Sequence, residues 1–328
     1  MATILVTGGA GYVGAHCAFA LARAGHTVVT YDNLSNGHAE FVKWGPLVQG
    51  DIRDKEAIAR VFSRYKPDGV VHCAALIEVG ESVRFPVRFY DNNVSGALTL
   101  LSAMCEAEIN AFVFSSTCAI YGAPKSLPID EAHPQAPLSP YARTKLMVEQ
   151  ASRDLAAATR LKFAHLRYFN AAGAAPHQSI GERHNPETHA IPLALLALLG
   201  RRDGFKIFGE DYPTRDGTCL RDYVHVLDLA DAHVRAMERL LQGGESIAVN
   251  LGTGDGTTVK ELLGAIKRVT GRAVPFTSAL RREGDSPGLV ANNQLAKQAL
   301  GWKPVHDLDS IIHDAWQWHS CVEPRLSA

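Results

Sequence analysis

The chain has 328 residues, 46% hydrophobic and 20% charged, with 33 Lys and Arg against 34 Asp and Glu and a formal net charge of −1. That composition suits a globular enzyme of two lobes with a large core, and its mixed charge signs exclude nucleic acid and membrane surfaces as partners. The longest strongly apolar run, Ala190 to Leu199, is too short to span a bilayer, and the N-terminus enters a strand at once. Neither a membrane anchor nor a secretory leader is expected, and a cytoplasmic location follows.

Thr3 to Thr7 reads as a buried parallel strand. Gly8, Gly11 and Gly14 follow at G-x-x-G-x-x-G spacing, and Ala15 to Ala24 reads as a helix that Gly25 ends. Strand, glycine turn and helix together form a unit that binds a dinucleotide pyrophosphate. The glycines admit close backbone approach, and the helix start offers N–H groups and a positive dipole end. A second strand, Thr27 to Tyr31, ends at Asp32. A carboxylate there accepts hydrogen bonds from ribose hydroxyls and repels a 2′-phosphate, so NAD is expected rather than NADP.

The alternation continues. A loop covers Asn33 to Gly37, and Leu47 to Gln49 leads into Gly50-Asp51-Ile52. A helix is expected from about Lys55 to Tyr65, a strand over Gly69 to Cys73 and a long helix over Asn93 to Ala107. A strand over Ala111 to Ser115, a helix over Tyr141 to Thr159 and a strand over Lys162 to Arg167 follow. This pattern predicts an α/β fold, a Rossmann-type doubly wound parallel sheet, over residues 1–172. Ligand atoms are expected at the carboxyl strand ends: Asp32, Asp51, Ala74, Ala75, Ser115 to Thr117 and Tyr168 to Asn170. Residues 173–328 read mainly as a smaller, discontinuous α/β substrate domain. Segments near 222–251 (helix from Asp222 to Leu241, strand from Ala248 to Leu251) return to the first domain, and Glu323 to Ala328 is expected to fray.

Tyr141 and Lys145 are four residues apart, on one face of the expected helix. A lysine charge beside the phenol, with the positive nicotinamide of a bound cofactor, favours the phenolate and makes Tyr141 a general base. Tyr121 and Lys125 share that spacing, but Gly122 and Pro124 unsuit their stretch to a helix interior. The six cysteines form no C-x-x-C pair and read as reduced, mostly buried thiols. No H-E-x-x-H occurs, and His184 and His189 lack evident partner ligands, so no metal is expected.

Taken together, these residues resemble the extended short-chain dehydrogenase/reductase superfamily and, within it, the UDP-glucose 4-epimerase family. The likeness runs over nearly the whole chain. Early in the sequence it lies in Thr7-Gly-Gly-Ala-Gly-Tyr-Val-Gly14, Tyr31-Asp-Asn-Leu-Ser-Asn-Gly37, Gly50-Asp-Ile-Arg-Asp54, Val79-Gly-Glu-Ser82, Tyr90-Asp-Asn-Asn93 and Ser139-Pro-Tyr141. Later it lies in Lys145-Leu-Met-Val-Glu149, Arg167-Tyr-Phe-Asn170, Phe208-Gly-Glu-Asp-Tyr-Pro-Thr214, Arg221-Asp-Tyr-Val-His-Val226 and Arg281-Arg-Glu-Gly-Asp285.

The resemblance implies inversion at C4 of a UDP-sugar, such as UDP-galactose to UDP-glucose, through a 4-keto intermediate on a tightly bound NAD that is not consumed. It implies that Gly8, Gly11, Tyr12, Val13 and Gly14 form the phosphate turn, and that Asp32, Asn33 and Asn36 meet the adenosine side. Asp51 and Ile52 would flank the adenine, Asn92 and Lys145 would hold the nicotinamide half, and Ala74, Ala75, Ser115 and Tyr168 would complete the cofactor set. Thr117 would hydrogen-bond the reacting hydroxyl and Tyr141 would exchange its proton. Asn170 would contact the nucleotide sugar, Arg221 and Arg282 would clamp the diphosphate, Asp285 would hold the uridine ribose, and His189 and Leu289 would join the substrate set.

Three positions depart from the pattern. Thr117 stands where many relatives have serine, and Ile77 where some place a lysine on the cofactor phosphate. Leu289 stands where some have a tyrosine that crowds the C2 group, so N-acetylhexosamine substrates stay open, and a UDP-pentose stays open because its epimerisation needs the same chemistry. Related dehydratases carry Asp-Glu after the threonine; Cys118 and Ala119 stand here, which disfavours elimination. A non-catalytic NAD-binding protein is disfavoured because Thr117, Tyr141 and Lys145 are all present. The resemblance also implies a homodimer, joined through a four-helix bundle of the helices near Asn93 to Ala107 and Tyr141 to Thr159.

Overall fold

A computed structural model describes residues 1–282 and 285–321. The expected fraying of Glu323 to Ala328 lies outside the described residues. Seven parallel strands form the main sheet: β1 (Thr3–Thr7), β2 (Thr27–Asp32), β3 (Leu47–Gln49), β4 (Gly69–His72), β5 (Ala111–Thr117), β6 (Lys162–Tyr168) and β7 (Ile247–Leu251). Their spatial order is β7-β6-β5-β4-β1-β2-β3. The order reverses between β1 and β4, which opens a crevice at their carboxyl ends. This is the doubly wound sheet the alternation predicts.

Successive side chains of a strand face opposite sides, and both sides are covered. Ile4, Val6, Val71, Val113, Leu166 and Val249 pack on one face against helices Tyr12–Arg23 and Val226–Leu241. Leu5, Val29, Val70, Phe112 and Phe114 pack on the other against helices Lys55–Tyr65, Gly96–Glu106 and Pro140–Ala158. All seven residues of β5 are buried, as suits a central strand. A third core unites helices Ala190–Leu198, Val259–Thr270 and Leu308–Cys321 through Leu195, Leu262, Ile266, Ile311 and Ile312. Strand Tyr223–His225 pairs with Asn170–Ala172, and β7 pairs with β6, so the later chain returns to the sheet.

Three helix starts differ from the sequence reading by three residues or more. The first helix begins at Tyr12, not Ala15, because Gly11 is its N-cap and Gly14 lies inside it. The long helix expected from Asn93 is helical from Gly96. It is preceded by a π-helical turn, Tyr90–Ser95, and by short helices Val79–Arg84 and Pro86–Phe89. The helix expected from Asp222 begins at Val226, because the Asp222 carboxylate accepts distant amides instead: Thr253 N at 2.7 Å, Gly254 N at 3.0 Å and Ala291 N at 3.0 Å. Among the described residues, no helix is long and apolar enough to cross a membrane.

Candidate active site

The crevice above β1 and β4 is a pocket whose floor is the glycine turn. Gly8 (φ +70°) sits so close to β4's end that a Cβ would lie 2.5 Å from Ala74 N, and a Cβ on Gly14 would lie 2.1 Å from Gly8 O. Only glycine permits that packing. Gly11 caps the first helix without a side-chain acceptor, which leaves the helix start open to an anion. Asp32, buried at the end of β2, accepts from Ala10 N (3.0 Å) and Leu34 N (2.8 Å). Burial raises its pKa, and the two amides counter that shift. A helix start cleared of side chains and a fixed carboxylate beyond it fit the pyrophosphate and adenosine ribose of NAD.

Gly8, Gly11, Tyr12, Val13 and Gly14 line the floor, and Asp32, Asn33, Asn36 and Ile52 line one end. Ala74, Ala75, Asn92 and Tyr168 line the middle. Thr117, Tyr141, Asn170, His189 and Leu289 line the other end. Asp51 sits beside this wall, where Asn33 Nδ2 donates to it at 3.1 Å and the Arg53 guanidinium holds it well below the usual carboxylate range. Asn170 Oδ1 is buried without a hydrogen-bond partner, an acceptor on the pocket wall awaiting a donor.

Ser115 and Lys145 lie beneath the pocket. Lys145 Nζ donates to Ser115 O at 2.8 Å, and its charge stands 4.8 Å from the centre of the Phe114 ring. The Ser115 hydroxyl is 2.8 Å from His233 Nε2 and 3.1 Å from Cys73 Sγ. Burial lowers Lys145 to about 8.

Tyr141 occupies the first turn of helix Pro140–Ala158, capped by the Ser139 hydroxyl. Burial pushes its phenol well above the ordinary value, and the Thr117 hydroxyl partly offsets that rise. The protein alone thus favours the neutral phenol, while the expected phenolate rests on the nicotinamide charge as well as on Lys145.

On the outer side, Arg221 Nη1 donates to Leu220 O and Ser286 O at 2.9 Å each, and its Nη2 stands 3.7 Å from Asp285 Oδ1. The Arg282 guanidinium stacks 3.8 Å over the Phe208 ring. None of the three lines the pocket; Arg221 pairs in register with Leu289, which does.

Sequence reasoning missed Glu182 and Arg183 on the wall, and it left His184 and His189 without partners. The loop folds so that Thr188 N and His189 N both donate to Glu187 Oε1, at 2.7 and 2.9 Å. His189 Nδ1 stands 2.5 Å from Glu182 Oε1, and His184 Nδ1 stands 3.4 Å from Glu182 and 3.6 Å from Glu187. Burial disfavours an imidazolium here, but the two carboxylates raise His184 to about 10. The E-x-H-x-x-E-x-H spacing was the available signal.

Residues 4–252 match the NAD dependent epimerase/dehydratase family. The chain belongs to that family. It is 63% identical over 317 residues to a UDP-glucose 4-epimerase of Rhizobium meliloti (strain 1021), covering 97% of each chain. Its structure is similar to UDP-glucose 4-epimerase from Brucella ovis in complex with NAD (TM-score 0.94, 48% identity, 96% and 98% of the two chains). It is also similar to the enzyme from Stenotrophomonas maltophila with bound NAD and formylated UDP-arabinopyranose (TM-score 0.95, 42% identity, 98% of each chain). The glycine turn and the first turn of helix Pro140–Ala158 both line the pocket described above.

Proposed function

We propose that this protein is a UDP-sugar 4-epimerase that interconverts UDP-galactose and UDP-glucose on an NAD held through turnover. The observation that carries the reading is that Thr117 and Tyr141 face the same pocket as the glycine turn and Asp32. A proton-exchanging pair and a dinucleotide cradle in one cavity suit reversible oxidation of an alcohol.

In this reading Asp32, Asn33 and Asn36 hold the adenosine side, with Asp51 and Ile52 at the adenine. Gly8, Gly11, Tyr12, Val13 and Gly14 receive the pyrophosphate. Ala74, Ala75, Asn92 and Tyr168 border the nicotinamide half, and Ser115 and Lys145 support it from below. When bound, NAD would supply the hydride acceptor and donor for the sugar's C4. Thr117 bridges the sugar hydroxyl to Tyr141, which takes the O4 proton and later gives it back. Because burial keeps the phenol protonated in the protein alone, its activation falls to the positive charge of the loaded cofactor site and of Lys145.

Arg221, Arg282 and Asp285 grip the nucleotide, while Asn170, His189 and Leu289 border a loosely held hexose. Binding energy placed far from C4 retains the oxidised sugar while it turns about its phosphate link. Leu289 leaves more room at the sugar than a tyrosine would, which admits N-acetylhexosamines as secondary substrates, and a UDP-pentose presents the same C4 alcohol to the site. Cys118 and Ala119, on the wall beside Thr117, offer no acid for elimination.

We place residues 1–172, with later elements near 222–251, as the NAD domain and most of 173–328 as the UDP-sugar domain, in a cytoplasmic homodimer. Exposed Leu98 and Met147, on helices Gly96–Glu106 and Pro140–Ala158, support a dimer joined through a four-helix bundle.

The test incubates purified protein, without added NAD, with UDP-galactose, UDP-N-acetylgalactosamine and UDP-arabinose, and identifies products by NMR. Conversion of UDP-galactose to UDP-glucose without NADH accumulation is expected. A dehydrated product, net NADH release or no conversion of any sugar contradicts the reading.

A further inference from the structure

Loop 182–189 forms part of the pocket wall, and it gathers more chemistry than sugar binding requires. Glu182, His184, Glu187 and His189 each offer one ligand atom, all within 4.8 Å of one another. We propose that these four side chains form a divalent transition-metal site of the zinc class, one per chain, that fixes the pocket wall.

The first argument is geometric. A tetrahedral site with bonds near 2.1 Å separates neighbouring ligand atoms by about 3.4 Å. The His184 Nδ1 distances to Glu182 and Glu187 are 3.4 and 3.6 Å, and His189 Nδ1 stands 3.5 Å from Glu187 Oε1. Three of the four imidazole–carboxylate separations thus lie at the tetrahedral edge length, with His184 facing Glu187 Oε2 and His189 facing Glu187 Oε1, so the Glu187 carboxylate turns to present one oxygen to the ion. The fourth, His189 Nδ1 to Glu182 Oε1 at 2.5 Å, is a hydrogen bond that opens by about 1 Å when a metal takes the proton's place. Two imidazoles and two carboxylates form a donor set that suits zinc.

A second argument comes from an orphaned atom. His184 Nδ1 is buried and makes no hydrogen bond, although it faces both carboxylates. Its partners are ion pairs at 3.4 and 3.6 Å without hydrogen-bond geometry, and a metal bond would give the nitrogen a direct partner. Charge balance agrees. Two carboxylates need two positive charges, and one dication with two neutral imidazoles supplies the same total as two imidazoliums. Binding therefore releases the Nδ1 protons to solvent and leaves the net charge of the cluster unchanged.

The surroundings hold the ligands in place. Trp318 Nε1 donates to Glu182 O at 2.8 Å, and the amides of Thr188 and His189 fix one Glu187 oxygen. Such outer contacts orient metal ligands. The His184 ring meets Tyr12 edge-on at 6.3 Å between centroids, and Tyr12 donates to Gly173 O at 2.7 Å. A metal here would clip the wall to the start of the first helix. With four protein ligands its role is structural, since no coordination position is left for a reacting group.

The test uses chelator-treated protein and cobalt(II) as the probe, followed by displacement with zinc. The expected result is one cobalt per chain with tetrahedral visible bands and no near-ultraviolet thiolate band. His184→Asn and Glu187→Gln should each weaken cobalt binding by more than about 100-fold while leaving the far-ultraviolet dichroism intact. A thiolate band would place the metal at the Cys17, Cys73 and His233 cluster and overturn the proposal. Unchanged affinity in both variants, or no stoichiometric binding to the parent, would also overturn it. None of these readouts depends on sugar turnover, so the result stands apart from the epimerase reading.

Discussion

The ammonium of Lys145 donates to the carbonyl oxygen of Ser115 at 2.8 Å, tying the helix that carries Tyr141 to the end of β5 that carries Thr117. This hydrogen bond links the two elements that bring Thr117 and Tyr141 to the pocket. The lysine's place is structural as well as electrostatic, and the phenol's place depends on it.

Tyr141→Phe removes the proton acceptor and keeps the ring's packing against Leu76 and Phe89. The expected outcome is a fall in turnover of about 10²- to 10⁴-fold with NAD content unchanged. Stopped-flow turnover beside cofactor absorbance measures both. Turnover near the parent value removes Tyr141 from the chemistry.

Glu149 is wholly buried on that helix and accepts from Arg167 Nη2 at 2.7 Å, Arg167 Nε at 3.0 Å and Ser116 Oγ at 2.6 Å. Although burial opposes its charge, His165 and Arg167 hold its carboxyl far below the usual range. Glu149→Gln leaves the Arg167 charge buried without its counter-ion. A loss of about 3–5 kcal/mol in urea unfolding is expected, and an unchanged midpoint would show that the pair contributes no stability.

His16, His72 and His233 are fully buried, and desolvation lowers them to about 4, 3 and 4. The folded state keeps them neutral where the unfolded chain protonates, so the unfolded state binds more protons below pH 6.5. Stability should fall as pH drops from 6.5 towards 4. Near pH 5 these three groups alone contribute up to about 4 kcal/mol per pH unit. Urea titrations from pH 7 to 4.5 measure the slope, and a flat profile contradicts the burial argument.

Much of this was legible in the sequence because local signals agreed with the fold. Thr3 to Thr7, the glycine turn and Asp32 are consecutive pieces of one βαβ unit, and each glycine answers a contact made within or beside that unit. Helix Lys55–Tyr65 was legible to the residue, since Asp54 caps it by accepting from Ala57 N and Lys66 ends it in the left-handed region. What escaped depends on distant partners. The strand at Tyr223–His225 exists because Asn170–Ala172 lies beside it, and Asp222 is turned out of the helix by amides some 30 and 69 residues away. The protonated state of Tyr141 comes from burial, which spacing does not report. The Glu182–His189 cluster escaped because its histidines pair with the interleaved carboxylates Glu182 and Glu187 only once the loop folds.

The central claim is that C4's own hydrogen leaves and returns within one active site. UDP-galactose deuterated at C4, mixed with unlabelled UDP-arabinose and converted by protein carrying unlabelled NAD, tests it most directly by mass spectrometry and NMR of the products. The account predicts UDP-glucose with deuterium retained at C4 and none transferred to the pentose. Loss of the label to solvent, or its appearance in the second sugar at a level set by exchange, would contradict it.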